Sequence, residues 1–405
     1  MTDDRPLADV KILDFMWAMA GPAATRVLAD YGATVVRVES THRFDTARTL
    51  GPYQNAQPGP ENSGLYQDLN AGKLGMTLDL SKPGGHAIAL DLVRWADVVT
   101  ESFSPNVMRG WGLDYESLRQ VKPELIMLST CLMGQTGPLS TFAGFGNLAA
   151  AISGFYNLAG WPDRAPAGPF GAYTDTVAPR FTAAAILAAL DHRRRTGQGQ
   201  YIDQSQAEST LHFLAPAILD YTANGRVQGR VGNRDPAMAP HGVYPTAGED
   251  RWIAIAVREE EQWLALCAVL ERPDLLHDAR VATPEARLAH QDVLDTIVAA
   301  WTEGREAGVA EAALQARGVP ASAVQNSREL CDDPQLAHRG HLVRLAHPTL
   351  GTTTVEGSRF VLSRTPAKVD RAAPRLGGDN HYVLETILGY GAERIAELVV
   401  EGALE

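Results

Sequence analysis

A carboxylate at residue 175 stands where an acid could do covalent chemistry. Asp175 follows a glycine- and proline-rich stretch, residues 168–174 (GPFGAYT), and precedes a long run that is typical of a helix. A helix N-terminus stabilises negative charge through its free amides and its dipole. A partly desolvated carboxylate there could attack an activated carbonyl as a nucleophile. Aspartate is also a common N-cap, and spacing alone favours that structural role.

Small residues near the N-terminus suggest a place where a ligand approaches the backbone. The segment 16–22 joins a predicted strand to a predicted helix and contains Ala18, Ala20 and Gly21. Without bulky side chains, a flat ring or a phosphate could lie against this loop. An ordinary tight connection between a strand and a helix explains the same residues.

Basic residues in loops or near element ends are candidate phosphate clamps, because arginine pairs with phosphate through two hydrogen bonds and lysine through a point charge. They are Arg43, Arg48, Lys73 and Arg109. Solvated surface charge explains any one of them taken alone.

Other motifs are weaker. The hexapeptide GFGNLA, residues 144–149, matches a GxGxxA dinucleotide fingerprint but lacks the strand that should precede it. His212 and His241 could act as general bases, although lone histidines are usually structural. The sequence contains no GxSxG, HExxH or P-loop pattern.

Alternating strands and helices must position these residues. The pattern predicts strands at 10–15, 34–39, 97–102 and 125–130, and helices at 23–32, 84–96 and 115–121. Such alternation is typical of a parallel, doubly wound α/β sheet. Ligands of that architecture bind beyond the carboxyl ends of the strands, so the segments after Phe15, Glu39, Ser102 and Thr130 should carry the site.

The centre of the chain is predicted to hold one long helix at 176–196. Asp175 would be its N-cap, Pro179 would lie in its first turn and Gly197 would be its C-cap. Since the helix is alanine-rich and apolar on most sides, we expect it to be buried.

The second half predicts a smaller α+β domain. Residues 242–257 read as two strands around a turn at 247–250, and helices should follow at 259–270 and 284–316. We predict three parts: a large ligand-binding domain at 1–225, the small domain at 226–325, and a segment at 326–405 that returns to the large domain with strands and a final helix.

Composition narrows the class of protein. The chain has 405 residues, of which 45% are hydrophobic and 21% charged, so disorder of the whole chain is excluded. The net charge of −12 disfavours a general nucleic-acid binder. The three cysteines, Cys131, Cys267 and Cys331, form no CxxC pair, which disfavours a disulfide scaffold and a structural zinc site.

No apolar signal core and no run of about 18 apolar residues occurs, so no membrane partner is expected. A cytoplasmic enzyme fits these observations best.

The ordered blocks of the sequence resemble the class III CoA-transferases, the family of formyl-CoA and carnitine CoA-transferases. The opening block is LDFMWAMAGPAATRVLADYGATVVRVE, and DTARTLGP, LNAGKLGMTLDL and ADVVTESFSPNVMRGWGLDYESL follow. The central signature is GPFGAYTDTVAPRFTAAAILAALDHRRRTGQGQYID. The blocks VGNRDPAMAPHGVYPT and APRLGGDNHYVLETILGY complete the series over nearly the whole chain.

The resemblance implies a Rossmann-like large domain, a small α+β domain and two subunits interlocked as a homodimer. It implies transfer of coenzyme A between an acyl-CoA and a small carboxylic acid, with coenzyme A as substrate and no permanently bound cofactor or metal. Asp175 falls at the family's nucleophilic aspartate, which reverses the preference for the N-cap role. The positions that match its coenzyme-binding residues are Ala18, Met19, Ala20, Glu39, Arg48, Lys73, Phe103, Arg109 and Cys131.

Two departures and two alternatives accompany the resemblance. One branch of the family has a lysine where this chain has Cys131, and Phe44 replaces the glycine of the family's GDxxR block. Racemases of 2-methylacyl-CoA share the fold but use a histidine, and Phe145 stands at that position. Phenylalanine cannot exchange a proton, so transfer is favoured over racemisation. A non-catalytic, coenzyme-binding subunit of a heteromeric transferase is the other alternative.

Overall fold

The computed structural model describes residues 4–405. The strands of that part of the chain, β1 to β11 in order, are Lys11–Phe15, Thr34–Glu39, Leu74–Thr77, Val98–Glu101, Ile126–Cys131, Tyr201–Ser205, His241–Pro245, Trp252–Ala256, Ala321–Ala323, Leu342–His347 and Gly351–Glu356.

The α-helices, α1 to α18 in order, are Ala20–Asp30, Gly64–Asn70, Pro83–Trp95, Val107–Gly110, Tyr115–Val121, Gly146–Ile152, Phe155–Leu158, Tyr173–Thr196, Gln206–Leu211, Ala215–Asn224, Glu260–Val269, Pro284–Ala289, Gln291–Thr302, Ala307–Gln315, Ser327–Asp332, Pro334–His338, Asn380–Tyr382 and Ala392–Glu401. None of the helices within residues 4–405 is both long enough and apolar enough to cross a membrane.

A six-stranded parallel sheet organises the first unit, in the order β3-β2-β1-β4-β5-β6. The parallel α/β sheet that the sequence predicts is therefore confirmed. The strand order reverses at β1, because β2 lies on one side of it and β4 on the other. The loops that follow β1 and β4 lead to opposite faces of the sheet and leave a crevice between them, where such folds bind ligands.

Alternating side chains bury both faces of this sheet. Leu13 and Phe15 of β1 pack in a core cluster with Leu92 of α3, whereas Ile12 packs in a second cluster with Ile186 of α8. A parallel strand buried on both faces needs apolar residues at successive positions, which explains the short apolar runs in the sequence. The site-bearing loops are thus attached to a rigid, close-packed layer.

The long central helix begins earlier than its sequence predicts. Helix α8 starts at Tyr173 with Ala172 as N-cap, so the assignment of Asp175 as N-cap is wrong. Asp175 lies inside the first turn, and Pro179 lies one turn further into the helix than predicted. The C-cap prediction is confirmed, since Gly197 adopts the left-handed conformation with φ of 74°.

The burial predicted for α8 holds on one face only. Ile186, Ala189 and Leu190 are buried against α1 and β5, but Phe181 is 37% exposed and Leu187 is 43% exposed. Periodicity cannot separate a helix enclosed on all sides from one that leaves an apolar strip uncovered in the single chain.

The first compact unit consists of residues 1–155, 168–226 and 335–405, of which the described part starts at residue 4. Its C-terminal segment accepts hydrogen bonds from backbone amides at β3: the Gly75 amide donates to Asp379 Oδ2 at 2.8 Å. Just beyond β3, the Asp79 amide donates to the Ala403 carbonyl at 3.0 Å.

The second compact unit consists of residues 156–167 and 227–334. Its antiparallel sheet has the order β7-β8-β9, and the turn between β7 and β8 lies where the sequence predicts a hairpin. Trp263 and Leu266 of α11 pack in its core with Ile253 and Ile255 of β8. That residues 226–325 form an independent small domain stays a prediction. The second compact unit also contains residues 156–167 and extends to residue 334.

Candidate active site

The loop after β1 is held in shape by buried charges. Ala18 has a φ of 64°, a left-handed conformation that a residue with a Cβ rarely adopts. Its amide donates a hydrogen bond of 2.7 Å to Asp45 Oδ1. The Met16 amide donates to Asp14 Oδ1 at 2.9 Å, and Arg37 Nη1 donates to the Met16 carbonyl at 2.7 Å. These bonds fix the path of the backbone as it enters α1.

Asp175 faces this loop from the first turn of α8. It is 7% exposed, and its Oδ2 accepts a hydrogen bond of 3.3 Å from the amide of Gly146, the first residue of α6. A Cβ at residue 146 would lie 2.8 Å from Asp175 Cγ. Glycine at 146 therefore allows the start of α6 to approach the carboxylate closely. Thr174 locks the same contact by donating its hydroxyl to the Gly146 carbonyl at 3.2 Å.

Burial gives this carboxylate an unusual proton affinity. Removal from water raises the pKa of Asp175 to about 6, and the hydrogen bond from Gly146 partly offsets that effect. The group is thus largely ionised at neutral pH while poorly hydrated. A carboxylate in that state is a better nucleophile than one solvated by bulk water.

A cavity of about 200 Å³ brings the loop and the carboxylate together. Six residues predicted for the site line it: Ala18, Met19, Ala20, Phe103, Cys131 and Asp175. At about 30 Å³ per water molecule, this volume holds the reacting end of a ligand. The remainder of a large ligand would extend outward from the mouth of the cavity.

The aromatic and sulfur side chains of the cavity are not themselves reactive. The Phe103 ring makes edge contacts with Trp17 and Trp111 at centroid distances of 5.5 and 5.4 Å, which fix its orientation. Burial raises the pKa of Cys131 to about 11, so its thiol is neutral at physiological pH. Cys131 therefore acts as a small wall residue rather than as a thiolate nucleophile.

Glu39, Arg48 and Lys73 lie in buried ion pairs and do not line the cavity. Arg48 is fully buried, and its Nε and Nη2 donate to the two Glu39 oxygens at 2.9 and 2.8 Å. Its Nη2 also lies 2.6 Å from the Tyr66 hydroxyl. Lys73 Nζ lies 3.1 Å from Asp14 Oδ2. In this geometry the three residues support the loop after β1, and their direct contact with a ligand stays a prediction.

Arg109 belongs to a neighbouring cavity of about 250 Å³ beyond β4 and β5. Its side chain is exposed and free to reach an anionic group at the surface. Glu101 lies on the same wall, and burial raises the pKa of its carboxyl to about 7. Its Oε2 accepts a hydrogen bond of 2.7 Å from the Phe103 amide. Because Phe103 lines the cavity that contains Asp175, this bond connects the walls of the two cavities.

Sequence reasoning missed two residues of the site. Gly146 lies in the motif GFGNLA and starts α6 against Asp175. Gln206 lines the cavity directly after β6, a strand that was not predicted. The sequence signal for Gln206 is a short polar run that ends before a helix. Within residues 4–405, no group of three or more His, Cys, Asp or Glu side chains is placed to hold a metal ion.

The sequence and structure are similar to known proteins over almost their full length. The family model CoA-transferase family III matches residues 7–380. Succinyl-CoA–D-citramalate CoA-transferase of Chloroflexus aurantiacus is 34% identical over 394 residues, which are 97% of each chain. Succinate–glutarate CoA-transferase of Agrobacterium fabrum is 34% identical over 94% of this chain and 95% of its own.

A crystal structure of a CAIB/BAIF family protein from Brucella suis superposes with a TM-score of 0.87 at 29% identity, covering 95% of this chain and 99% of that one.

Proposed function

Because the chain belongs to CoA-transferase family III, as its resemblance predicts, we propose that it moves coenzyme A from an acyl-CoA thioester to a free carboxylic acid with Asp175 as nucleophile. The observation that carries the proposal is the buried Asp175 carboxylate in the cavity that the loop after β1 also lines. The acids named for the relatives make a short dicarboxylic or hydroxy acid the first acceptor to test.

The proposed chemistry proceeds through three covalent forms of Asp175. Its carboxylate attacks the acyl carbonyl of the donor, which gives a mixed anhydride and the thiolate of coenzyme A. The thiolate attacks the aspartyl carbonyl, giving an enzyme–CoA thioester and the donor acid. The acceptor carboxylate then attacks that thioester, which forms a second mixed anhydride with Asp175 and releases the thiolate. The thiolate finally captures the acceptor's acyl group and restores the Asp175 carboxylate.

One backbone amide beside Asp175 supports this sequence of steps. The Gly146 amide already donates to the carboxylate, and it can remain a donor to an oxyanion that develops there. Two small residues of the cavity, Ala18 on the loop after β1 and Ala20 at the start of α1, leave space for a thioester beside the carboxylate. Removal of the site from water strengthens each such interaction.

The direct test uses the purified single chain with succinyl-CoA and a set of carboxylic acids, including glutarate and citramalate. We expect one acceptor to be converted to its CoA thioester as succinyl-CoA disappears, measured by mass spectrometry of the thioesters. Conversion by the single chain would also exclude the role of a non-catalytic subunit. Hydrolysis alone, or no product with any donor and acceptor, would contradict the proposal.

Racemisation has a distinct signature in the same experiment. Phe145 stands on the cavity wall where a racemase of this fold carries a histidine. We therefore expect no deuterium to enter the α-carbon of a 2-methylacyl-CoA in heavy water without an acceptor acid. Deuterium incorporation at a rate comparable to transfer would assign the racemase function instead.

The pH dependence of transfer should follow the raised pKa of Asp175. Since only the carboxylate attacks, and burial raises that pKa to about 6, kcat/KM should fall tenfold per pH unit below about 6. An ordinary aspartate would give the same fall only near pH 4. The measurement is kcat/KM for the acyl-CoA between pH 4.5 and 8.5 at constant ionic strength.

Glu101 supplies the matched control, because burial raises its pKa to about 7 in the neighbouring cavity. The variant Glu101→Gln should still show the fall in kcat/KM below about pH 6. If that fall disappears in Glu101→Gln, the titrating group is the glutamate rather than Asp175.

The proposal includes the interlocked homodimer that the family resemblance implies. Its support in this chain is the uncovered apolar strip of α8, which includes Phe181 and Leu187. Exposed apolar strips of this kind are typical of surfaces that another chain covers.

A further inference from the structure

Gln206 lines the cavity, and its backbone is held firmly by the surrounding elements. It is the first residue of α9 and directly follows β6, the last strand of the parallel sheet. The preceding residue, Ser205, caps α9 by accepting a hydrogen bond of 3.2 Å from the Glu208 amide. Helix α9 packs against both α6 and α8, which carry Gly146 and Asp175. The position of Gln206 on the wall of the cavity that Asp175 also lines is therefore set by the fold.

The amide oxygen of Gln206 is buried without a hydrogen-bond partner among residues 4–405. The residue is 7% exposed, and its Oε1 has no hydrogen-bond partner among the described residues 4–405. A buried amide oxygen without a partner is destabilising, and folded proteins seldom keep one where an apolar side chain would fit. Leu132 and Phe142 line the same cavity, so apolar side chains do fit in its wall.

A second glutamine two residues away shows the ordinary behaviour. Gln204 is equally buried, at 9% exposed, but its Nε2 donates to the Ala178 carbonyl at 3.2 Å and to Ser209 Oγ at 3.1 Å. Its Oε1 accepts from Thr182 Oγ1 at 2.5 Å. Gln204 thus joins β6 to α8 as a structural residue, whereas Gln206 lines the cavity and has a buried amide oxygen without a partner.

We propose that Gln206 is a substrate-contacting residue that accepts a hydrogen bond from an N–H or O–H of the bound substrate. The inference deepens the proposed function and rests on it. A thioester carbonyl and a carboxylate offer only acceptors, so the complementary donor must lie elsewhere on the substrates. One source is the amide N–H of the pantetheine arm next to sulfur, and the other is the hydroxyl of a 2-hydroxy acid.

The probe is binding of S-ethyl-CoA, a thioether that cannot react, to the full chain by calorimetry. The variant Gln206→Met keeps the length of the side chain and removes the amide. If the pantetheine N–H is the donor, Gln206→Met should weaken S-ethyl-CoA binding roughly 2- to 13-fold, the value of one neutral hydrogen bond. Its melting temperature should stay the same or rise, because an unsatisfied oxygen is removed.

The second arm compares L-malate with succinate on the complex with S-ethyl-CoA. If a substrate hydroxyl is the donor, wild type should prefer malate, and Gln206→Met should lose that preference while S-ethyl-CoA affinity is unchanged. The control Gln204→Met should have a lower melting temperature than wild type. Its affinity for S-ethyl-CoA should stay within twofold of wild type.

The possible failures are distinguishable. If Gln206→Met changes neither the S-ethyl-CoA affinity nor the malate preference, the inference about Gln206 is wrong and the proposed function is untouched. If wild type itself does not bind S-ethyl-CoA, the proposed function fails, and the inference fails with it. A melting temperature that falls in Gln206→Met as much as in Gln204→Met would assign Gln206 a structural role instead.

Discussion

The variant Asp175→Asn should lose CoA transfer by roughly 10³-fold or more in kcat, as expected when a covalent nucleophile is removed. An asparagine has nearly the same shape, and its oxygen can keep the hydrogen bond from Gly146. The side chain would therefore stay in the cavity without a nucleophilic carboxylate. Steady-state kinetics with acyl-CoA and acceptor give kcat, and binding of S-ethyl-CoA should remain close to that of wild type.

Stability should change in the opposite direction from activity. Because the folded state holds the Asp175 proton more tightly than the unfolded chain, the free energy of unfolding falls as pH rises between about 4 and 6. At pH 7 the asparagine variant avoids that penalty, which is about 3 kcal/mol at most for a shift of roughly two pKa units. Thermal unfolding at pH 5 and pH 7.5 should show the variant's advantage growing with pH.

Covalent trapping identifies the residue directly. Incubation with acyl-CoA followed by hydroxylamine should convert Asp175 to its hydroxamate in wild type, read as a mass change on the peptide that contains α8 residues. The asparagine variant should show no such change. Normal turnover of Asp175→Asn, or a hydroxamate on a different residue, would show that another group is the nucleophile.

The sequence predicts this carboxylate's importance but not its local geometry. The resemblance identifies Asp175, while spacing alone favours an N-cap role that the structure shows to be wrong. Its real partner is the Gly146 amide, 29 residues earlier in the chain. A contact at that separation depends on how α6 and α8 pack, which local propensity does not contain. The motif around Gly146 was visible in the sequence, although its use was not.

Residues on polar or mixed elements were the hardest to predict. Strand β6, Tyr201–Ser205, is an edge strand whose first three residues are not buried, so its sequence lacks a clear apolar run. Gln206 follows that strand, so no apolar run in the sequence indicates its position either. The strands β1 and β2, which are buried on both faces, were predicted within one residue of their bounds.

The burial of individual basic residues cannot be predicted from the sequence around them. Arg48 and Arg109 both resemble coenzyme-binding positions, and nothing in their neighbours along the chain separates them. In the structure Arg48 is fully buried beside Glu39, whereas Arg109 is exposed at a cavity. The difference comes from long-range contacts, since the backbone carbonyl of Pro374 also accepts from Arg48 at 3.3 Å.

The variant Arg48→Met should therefore destabilise the protein by about 3–5 kcal/mol, the usual effect of breaking a buried ion pair from one side. Burial opposes the charge on Glu39, yet Arg37 and Arg48 together hold its pKa down to about 2. Loss of Arg48 leaves that buried carboxylate only partly compensated. Urea unfolding at pH 7 measures the change, and Arg109→Met, an exposed arginine, should alter the free energy of unfolding by less than about 0.5 kcal/mol.

Acid sensitivity provides a second readout of the same network. A depressed Glu39 pKa stabilises the folded state above about pH 4.5, and that contribution is lost as pH falls towards 2. Without Arg48 the depression should shrink, so acid unfolding of Arg48→Met should begin at higher pH than in wild type. The double variant Glu39→Gln/Arg48→Met removes both charges and should recover part of the lost stability.

The two roles considered for Arg48 give opposite patterns in these measurements. A supporting role under the loop predicts a lower melting temperature with kcat and KM changed together, because Ala18 loses its fixed conformation when the network that contains Asp45 and Arg37 relaxes. A phosphate-binding role predicts normal stability and a raised KM for acyl-CoA alone. If Arg48→Met unfolds like wild type and raises KM for acyl-CoA as much as Arg109→Met does, the supporting role is wrong. Arg48 would then leave Glu39 to bind the coenzyme.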